Sequence, residues 1–383
     1  MGSDKRIFRF RQPQGEFGKK HSELESRREK LNETIRLNRE EVNRLLRQKS
    51  AAAKSKAKKL RKKIAFAVKY GYVYGGHVKN EILGMLTLYN AGRSFAVKTQ
   101  RHIRYDPSDP KLYLNMYFPR RQSGEGKNRL FVYIHGGGWI GGWPEAREAF
   151  TTRIAAAGYT VASLYYGNAP AYAHPKMIQN IYKAFAFLKE NAERYNIDTD
   201  EIFVGGESAG AHLAAMAGCI SSNPAYKARF ALDARSRDTK IAGLVLNCGV
   251  YDMEKALSTG FRNVGIYTQA YCGGIKVTDT PESFRREISP IYWVTDNFPP
   301  SFVISAENDK LAVMSFDFAA ELFAKGVYVE HFHATGKSAV HAFAVCQAFA
   351  ISREAMREIK IFLKKISRDP VGNKKSALNK TAV

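Results

Sequence analysis

Residues 202–210 read Ile-Phe-Val-Gly-Gly-Glu-Ser-Ala-Gly, and residues 211–220 continue Ala-His-Leu-Ala-Ala-Met-Ala-Gly-Cys-Ile. The apolar run Ile202–Val204 predicts a buried strand, and Ala211–Ile220 predicts a helix. Between them Gly206-Glu207-Ser208-Ala209-Gly210 matches G-x-S-x-G, a sharp strand-to-helix turn that lifts a serine above a sheet. The glycines have a steric reason: strand and helix come so close around the turn that a side chain has no room. At a helix N-terminus the backbone dipoles also favour developing negative charge. Ser208 is therefore the candidate nucleophile.

Outward from this turn, apolar runs recur at Leu112–Phe118, Leu130–Ile134, Thr160–Tyr165, Ile241–Leu246, Phe302–Ser305 and Val327–Glu330. Helical patterns separate most of them, at Glu145–Ala157, Lys176–Asn191, Phe316–Lys325 and Val345–Lys364. Strand–helix alternation with short apolar strands predicts a mostly parallel sheet covered on both faces, with its sites at the carboxyl ends of the strands. The motifs fall at those ends. Leu130–Ile134 runs into His135-Gly136-Gly137-Gly138-Trp139, an H-G-G-G loop. Attack on an ester carbonyl puts negative charge on its oxygen, and each preorganised amide donor is worth roughly 3–4 kcal/mol there. The donors expected are Gly136, Gly137 and Ala209. A phosphate-binding loop is a poorer reading, because no Lys-Ser/Thr follows.

A serine nucleophile in such a sheet needs an acid and then a histidine, in that chain order. Phe302–Ser305 leads to Asp309, the preferred acid over Glu307 and Asp252. His341 follows the last strand and is preferred as the base over His331 and His333. His135, His174 and His212 read as structural. Trp139, Trp143 and Tyr166 are candidates to line the acyl or alcohol pocket. No His/Cys/carboxylate set has metal-ligand spacing, and no metal is expected.

These residues, His135–Gly138, Gly206–Gly210, Asp309 with Leu311, and His341-Ala342-Phe343, resemble the hormone-sensitive-lipase-like branch of the α/β-hydrolases, the fold-3 group. The resemblance covers roughly residues 95–366. It implies an α/β-hydrolase fold with a mostly parallel eight-stranded sheet and helices on both faces; the N-terminal helical extension, residues 1–63, lies outside the resemblance. It further implies cofactor-free carboxylesterase activity on short- to medium-chain acyl esters, and a cap of N-terminal helices that includes residues 64–94. The chain departs from that branch at Glu207 (more often Asp), at Tyr165-Tyr166 (more often Asp-Tyr) and at Ala342 (more often Gly). An amidase, deacetylase or small-peptide hydrolase would use the same triad. A non-catalytic scaffold would have no use for all three groups in order.

Of the 383 residues, 60 are Lys or Arg and 36 Asp or Glu, for a net charge of +24. Residues 1–63 hold 21 Lys/Arg against 8 Asp/Glu, more than half of that excess. This stretch is expected to be a basic helical extension, with apolar positions at Leu24, Leu31, Ile35, Val42 and Leu45, suited to an anionic membrane surface; nucleic acid is not the expected partner. Residues 64–94 are expected as short helices, 95–368 as the catalytic domain and 369–383 as a basic tail. The four cysteines form no C-x-x-C pair, which favours a reducing compartment, and the polar start carries no signal-peptide pattern; a cytoplasmic location is expected.

Overall fold

The computed structural model describes residues 16–47, 51–87, 89–120 and 126–367. The expected tail at 369–383 and the first fifteen residues of the basic extension lie outside this set. Compactness divides the chain into a first unit, Met1–Val73, and a second, Tyr74–Val383.

The first unit is built from helix α1 (Glu16–Arg47) and most of helix α2 (Ala51–Thr87). Small residues on α2 let the two helices approach. Leu45 packs on Ala53 and Ala57, and a Cβ added to Gly71 would lie 2.9 Å from Leu31 Cδ2. Glu41 accepts from Lys56 at 3.2 Å across the pair. α1 ends at Arg47, and α2 runs from Ala51 without interruption to Thr87. Residues 64–87 are one helix rather than several short ones. Gly71, Gly75 and Gly76 each weaken a helix by about 1 kcal/mol, but strong helix formers on both sides carry it through.

The second unit contains an eight-stranded sheet of β1 (Val97–Arg104), β2 (Tyr113–Pro119), β3 (Asn128–Ile134), β4 (Thr160–Tyr165), β5 (Ile197–Glu207), β6 (Ile241–Asn247), β7 (Ser301–Ala306) and β8 (Val329–Ala334). Its order is β1-β2-β4-β3-β5-β6-β7-β8. The first two strands pair antiparallel, and β3 to β8 run parallel. The main helices are α3 (Glu148–Ala155), α4 (Lys176–Glu190), α5 (Ala209–Ser222), α6 (Val264–Tyr271), α7 (Ala312–Ala324) and α8 (Ala350–Ser367). α8 shows how they attach: Ser352, Ala355, Met356, Ile359, Phe362, Leu363 and Ile366 recur at helical spacing and are buried. Because β3, β5, β7 and β8 point the same way, the loops after all four emerge at one end of the sheet.

Candidate active site

The turn after β5 is as tight as its glycines require. A Cβ on Gly206 would stand 2.5 Å from Ile134 O, and one on Gly210 only 2.0 Å from the same oxygen. Ser208 has φ +54° and ψ −119°, a conformation an L-residue adopts only when its surroundings impose it. Its N–H donates to Asn247 O at 2.8 Å, which ties the turn to the end of β6.

Three distant side chains meet here. His341 Nε2 is 2.9 Å from Ser208 Oγ, and His341 Nδ1 is 2.8 Å from Asp309 Oδ2. Asp309 lies in the turn after β7, its side chain fully enclosed, and its Oδ1 accepts the Leu311 N–H at 3.0 Å. An Nδ1–H given to Asp309 leaves Nε2 as a lone pair facing the serine hydroxyl. The competitors are occupied elsewhere. His331 and His333, both on β8, share Ser305 Oγ at 2.8 Å each. Glu307 accepts the Gly336 N–H, and Asp252 caps a short helix through the N–H groups of Glu254 and Lys255.

The H-G-G-G loop corrects one expectation. Gly136 does not offer its N–H to the site: it donates to Glu207 Oε1 at 2.7 Å. The N–H groups of Gly137 and Gly138 have no protein acceptor among the described residues. Ala209 opens α5, so its N–H is one of the helix's first four, which lack intrahelical acceptors. Gly137 must be glycine, with φ +123° and a Cβ position 2.2 Å from Gly141 O.

Glu207, only 1% exposed, is the hub beneath this loop. Besides Gly136 it accepts from Tyr133 Oη at 2.5 Å and from Arg147 Nε. Arg147 is 4% exposed and reaches on to both oxygens of Glu81, at 3.0 and 3.3 Å. Burial opposes ionisation of Glu81, but the Arg147 guanidinium together with the nearby His77 and His135 offsets it and leaves that carboxyl below its ordinary range. Neither Glu81 nor Arg147 was expected from sequence, since 66 residues separate them.

Two proposed pocket residues prove structural. Tyr166 is fully buried and donates to His135 O at 2.7 Å; Trp139 is buried, and its Nε1 donates to His212 Nδ1 at 3.2 Å. Their polar atoms are engaged in the packed interior. Trp143, half-buried, precedes the turn Pro144–Arg147. Aromatic rings near the site come from the excursion between β6 and β7: Phe261 lies 4.7 Å from the His341 ring, and a Cβ on Gly138 would be 2.8 Å from Tyr267 Cγ. His77, on the last turns of α2, packs against Gly141 in the same loop. Cys248 Sγ, an Asp309 oxygen and a His341 nitrogen lie within 4.8 Å of one another, and the Asp309 and His341 side chains are already hydrogen-bonded to each other. No helix among the described residues is long and apolar enough to cross a membrane.

Burial pushes His135 down to about 4 and His212 to about 3, from 6.5. Both are therefore neutral in the folded chain. Below pH 6.5 the unfolded chain takes up protons that the folded chain refuses. Stability is then full above about pH 6.5 and falls as pH drops toward 4. Each histidine is expected to cost about 1 kcal/mol at pH 5.5 relative to pH 7.5. Urea midpoints at the two pH values check this, and equal midpoints would refute it.

The BD-FAE family model matches residues 114–321, more than half of the chain. Esterase LipQ of Mycobacterium tuberculosis is 28% identical over 289 residues, covering 75% of this chain and 66% of LipQ. Esterase LipC of the same organism is 30% identical over 181 residues, 47% of this chain and 44% of LipC. The chain thus spans less than two thirds of the length of these curated relatives. An arylesterase of Saccharolobus solfataricus is 25% identical over 245 residues, 63% of this chain and 76% of that protein. Among solved structures, Esterase B from Lactobacillus Rhamnosis superposes with a TM-score of 0.71 at 20% identity, over 80% of this chain and 96% of that one, a likeness of fold. Sheet order, strand-to-helix turn and family match agree, and the chain belongs to the BD-FAE family, on an α/β-hydrolase fold.

Proposed function

We propose that this chain is a serine carboxylesterase that hydrolyses short- to medium-chain acyl esters through Ser208, His341 and Asp309. The observation that carries this is the unbroken pair of hydrogen bonds, 2.9 and 2.8 Å long, from Ser208 through His341 to Asp309. His341 Nε2 takes the serine proton as Oγ attacks the carbonyl carbon, and Asp309 offsets the imidazolium charge. Gly137, Gly138 and Ala209 donate to the tetrahedral oxyanion. His341 returns the proton to the leaving alkoxide, and an acyl-serine remains. Water, deprotonated by the same nitrogen, releases the acid and restores the serine. Each step balances with substrate and water alone. Phe261 against the His341 ring and Tyr267 against Gly138 bring aromatic bulk to the edge of the site, which supports a short or medium acyl group. Relatives named as esterases support the ester bond.

A second reading, amide hydrolysis, is favoured by one relative. Arylacetamide deacetylase of Mus musculus is 35% identical over 108 residues, 27% of either chain. A fluorophosphonate probe, with a panel of matched esters and amides of rising acyl length, tests both. The wild-type chain is expected to label and Ser208→Ala not to, with turnover of esters exceeding that of amides. A folded wild-type chain that takes no label would overturn the enzyme reading; faster amide turnover would replace the ester reading with its alternative.

A further inference from the structure

The helical pair of the first unit is unevenly charged. On α1, Arg36 is held by Glu33 and Glu40, and Arg44 by Glu41. Between Ala51 and Val73, α2 carries eight Lys or Arg and no acid at all. Lys58, Arg61, Ala65, Val68, Lys69 and Tyr72 are all exposed on it. At 100° per residue these six positions fall within an arc of about 100°, a single face. Lys58, Arg61 and Lys69 make no ion pair among the described residues. The apolar members of the face are open to solvent: Tyr72 is 82% exposed and Val68 47%. Beside them lies a groove of about 740 Å³, with Val42, Ile64 and Val68 among its apolar walls and Arg39, Arg61 and Lys69 among its cations.

We propose that this face of α2 docks on an anionic lipid bilayer, with Tyr72 and Val68 entering the headgroup region and Lys58, Arg61 and Lys69 meeting the phosphates. The alternation of cation and exposed apolar side chain selects the partner. Solvated cations alone would suit any polyanion, but exposed Val68 and the aliphatic walls of the groove gain nothing from a nucleic-acid backbone, and Tyr72 offers one ring where nucleic-acid grooves stack successive bases on several. A bilayer offers anions at the surface and a low-dielectric layer just below. Each cation brought to such a surface contributes about 1 kcal/mol. The docking rests on the first unit alone. Only its consequence, that the ester reaches the enzyme at a lipid surface, rests on the hydrolase reading above.

The test is co-sedimentation of the full chain with phosphatidylcholine vesicles, with and without phosphatidylserine, alongside hydrolysis of a water-soluble ester. Wild-type chain is expected to bind the phosphatidylserine vesicles, less so at high salt. Lys58→Gln/Arg61→Gln/Lys69→Gln should weaken that binding by roughly 100-fold. Val68→Ser/Tyr72→Ser, at exposed positions where folding is little disturbed, should weaken it by about 10-fold and remove the part that survives high salt. Neither set should alter hydrolysis of the soluble ester. Failure of wild-type chain to sediment, sedimentation unaffected by both sets, or tight binding to RNA without binding to vesicles would each overturn the proposal. Vesicle binding without hydrolysis of any ester would leave docking standing and remove the hydrolase reading; hydrolysis without vesicle binding would do the reverse.

Discussion

Ser208→Ala is expected to lower kcat on a soluble ester by about 10⁶-fold, His341→Ala by a similar factor, and the double variant by no more than either alone. The reason is that the two groups act as one unit. Without Oγ there is no nucleophile for His341 to activate, and without the imidazole the hydroxyl 2.9 Å away keeps its proton. Residual rate above that of water would come from Gly137, Gly138 and Ala209, which still face the oxyanion. Asp309→Asn should cost about 10⁴-fold, because an amide at the position now 2.8 Å from Nδ1 can hold the wrong tautomer of the ring. Single-turnover rates with matched far-UV spectra would measure all four variants. Additive losses in the double variant would show that the serine and histidine do not act together, and the proposed mechanism would fail.

The elements legible from sequence share a physical trait: their signals are local and apolar. Runs such as Thr160–Tyr165 and Ile241–Asn247 are buried along their whole length, so hydrophobicity alone marks them. β1 was missed because Val97–Arg104 is a largely exposed antiparallel edge whose polar residues look like a loop. The G-x-S-x-G and H-G-G-G spacings located the candidate site, because steric need for glycine at Gly206, Gly210 and Gly137 is written in the sequence itself. Which amide stays free was not legible. That depends on Glu207 folding back onto Gly136, a contact across 71 residues. Phe261 and Tyr267 were equally hidden, since the excursion between β6 and β7 has no periodic pattern to aim their rings. Long-range pairing, not local propensity, decides these details.

Arg147→Met is expected to destabilise the second unit by about 3–5 kcal/mol, the cost of leaving buried carboxylates without their counter-ion. Arg147 lies between Glu81 on α2 and Glu207 under the H-G-G-G loop, and all three are nearly inaccessible. One guanidinium thus serves two carboxylates, and no other described Lys or Arg forms a salt bridge with either. Glu81→Gln should cost much less, since it leaves Arg147 and Glu207 as a balanced pair and removes the surplus negative charge. Arg147→Lys should fall between them: it keeps the charge but loses the planar fork that now reaches Glu81 with two nitrogens and Glu207 with a third. Activity should separate from stability here. Glu207 fixes Gly136, the residue before the free amides of Gly137 and Gly138, so Arg147→Met should lower kcat even at temperatures where the variant is fully folded, while Glu81→Gln should not. Urea denaturation with kcat measured well below the transition distinguishes the two effects. If Arg147→Met lies within about 1 kcal/mol of the wild-type chain, the network is not what holds the loop. If it is unstable but retains wild-type kcat when folded, Glu207 supports the fold without positioning the oxyanion donors.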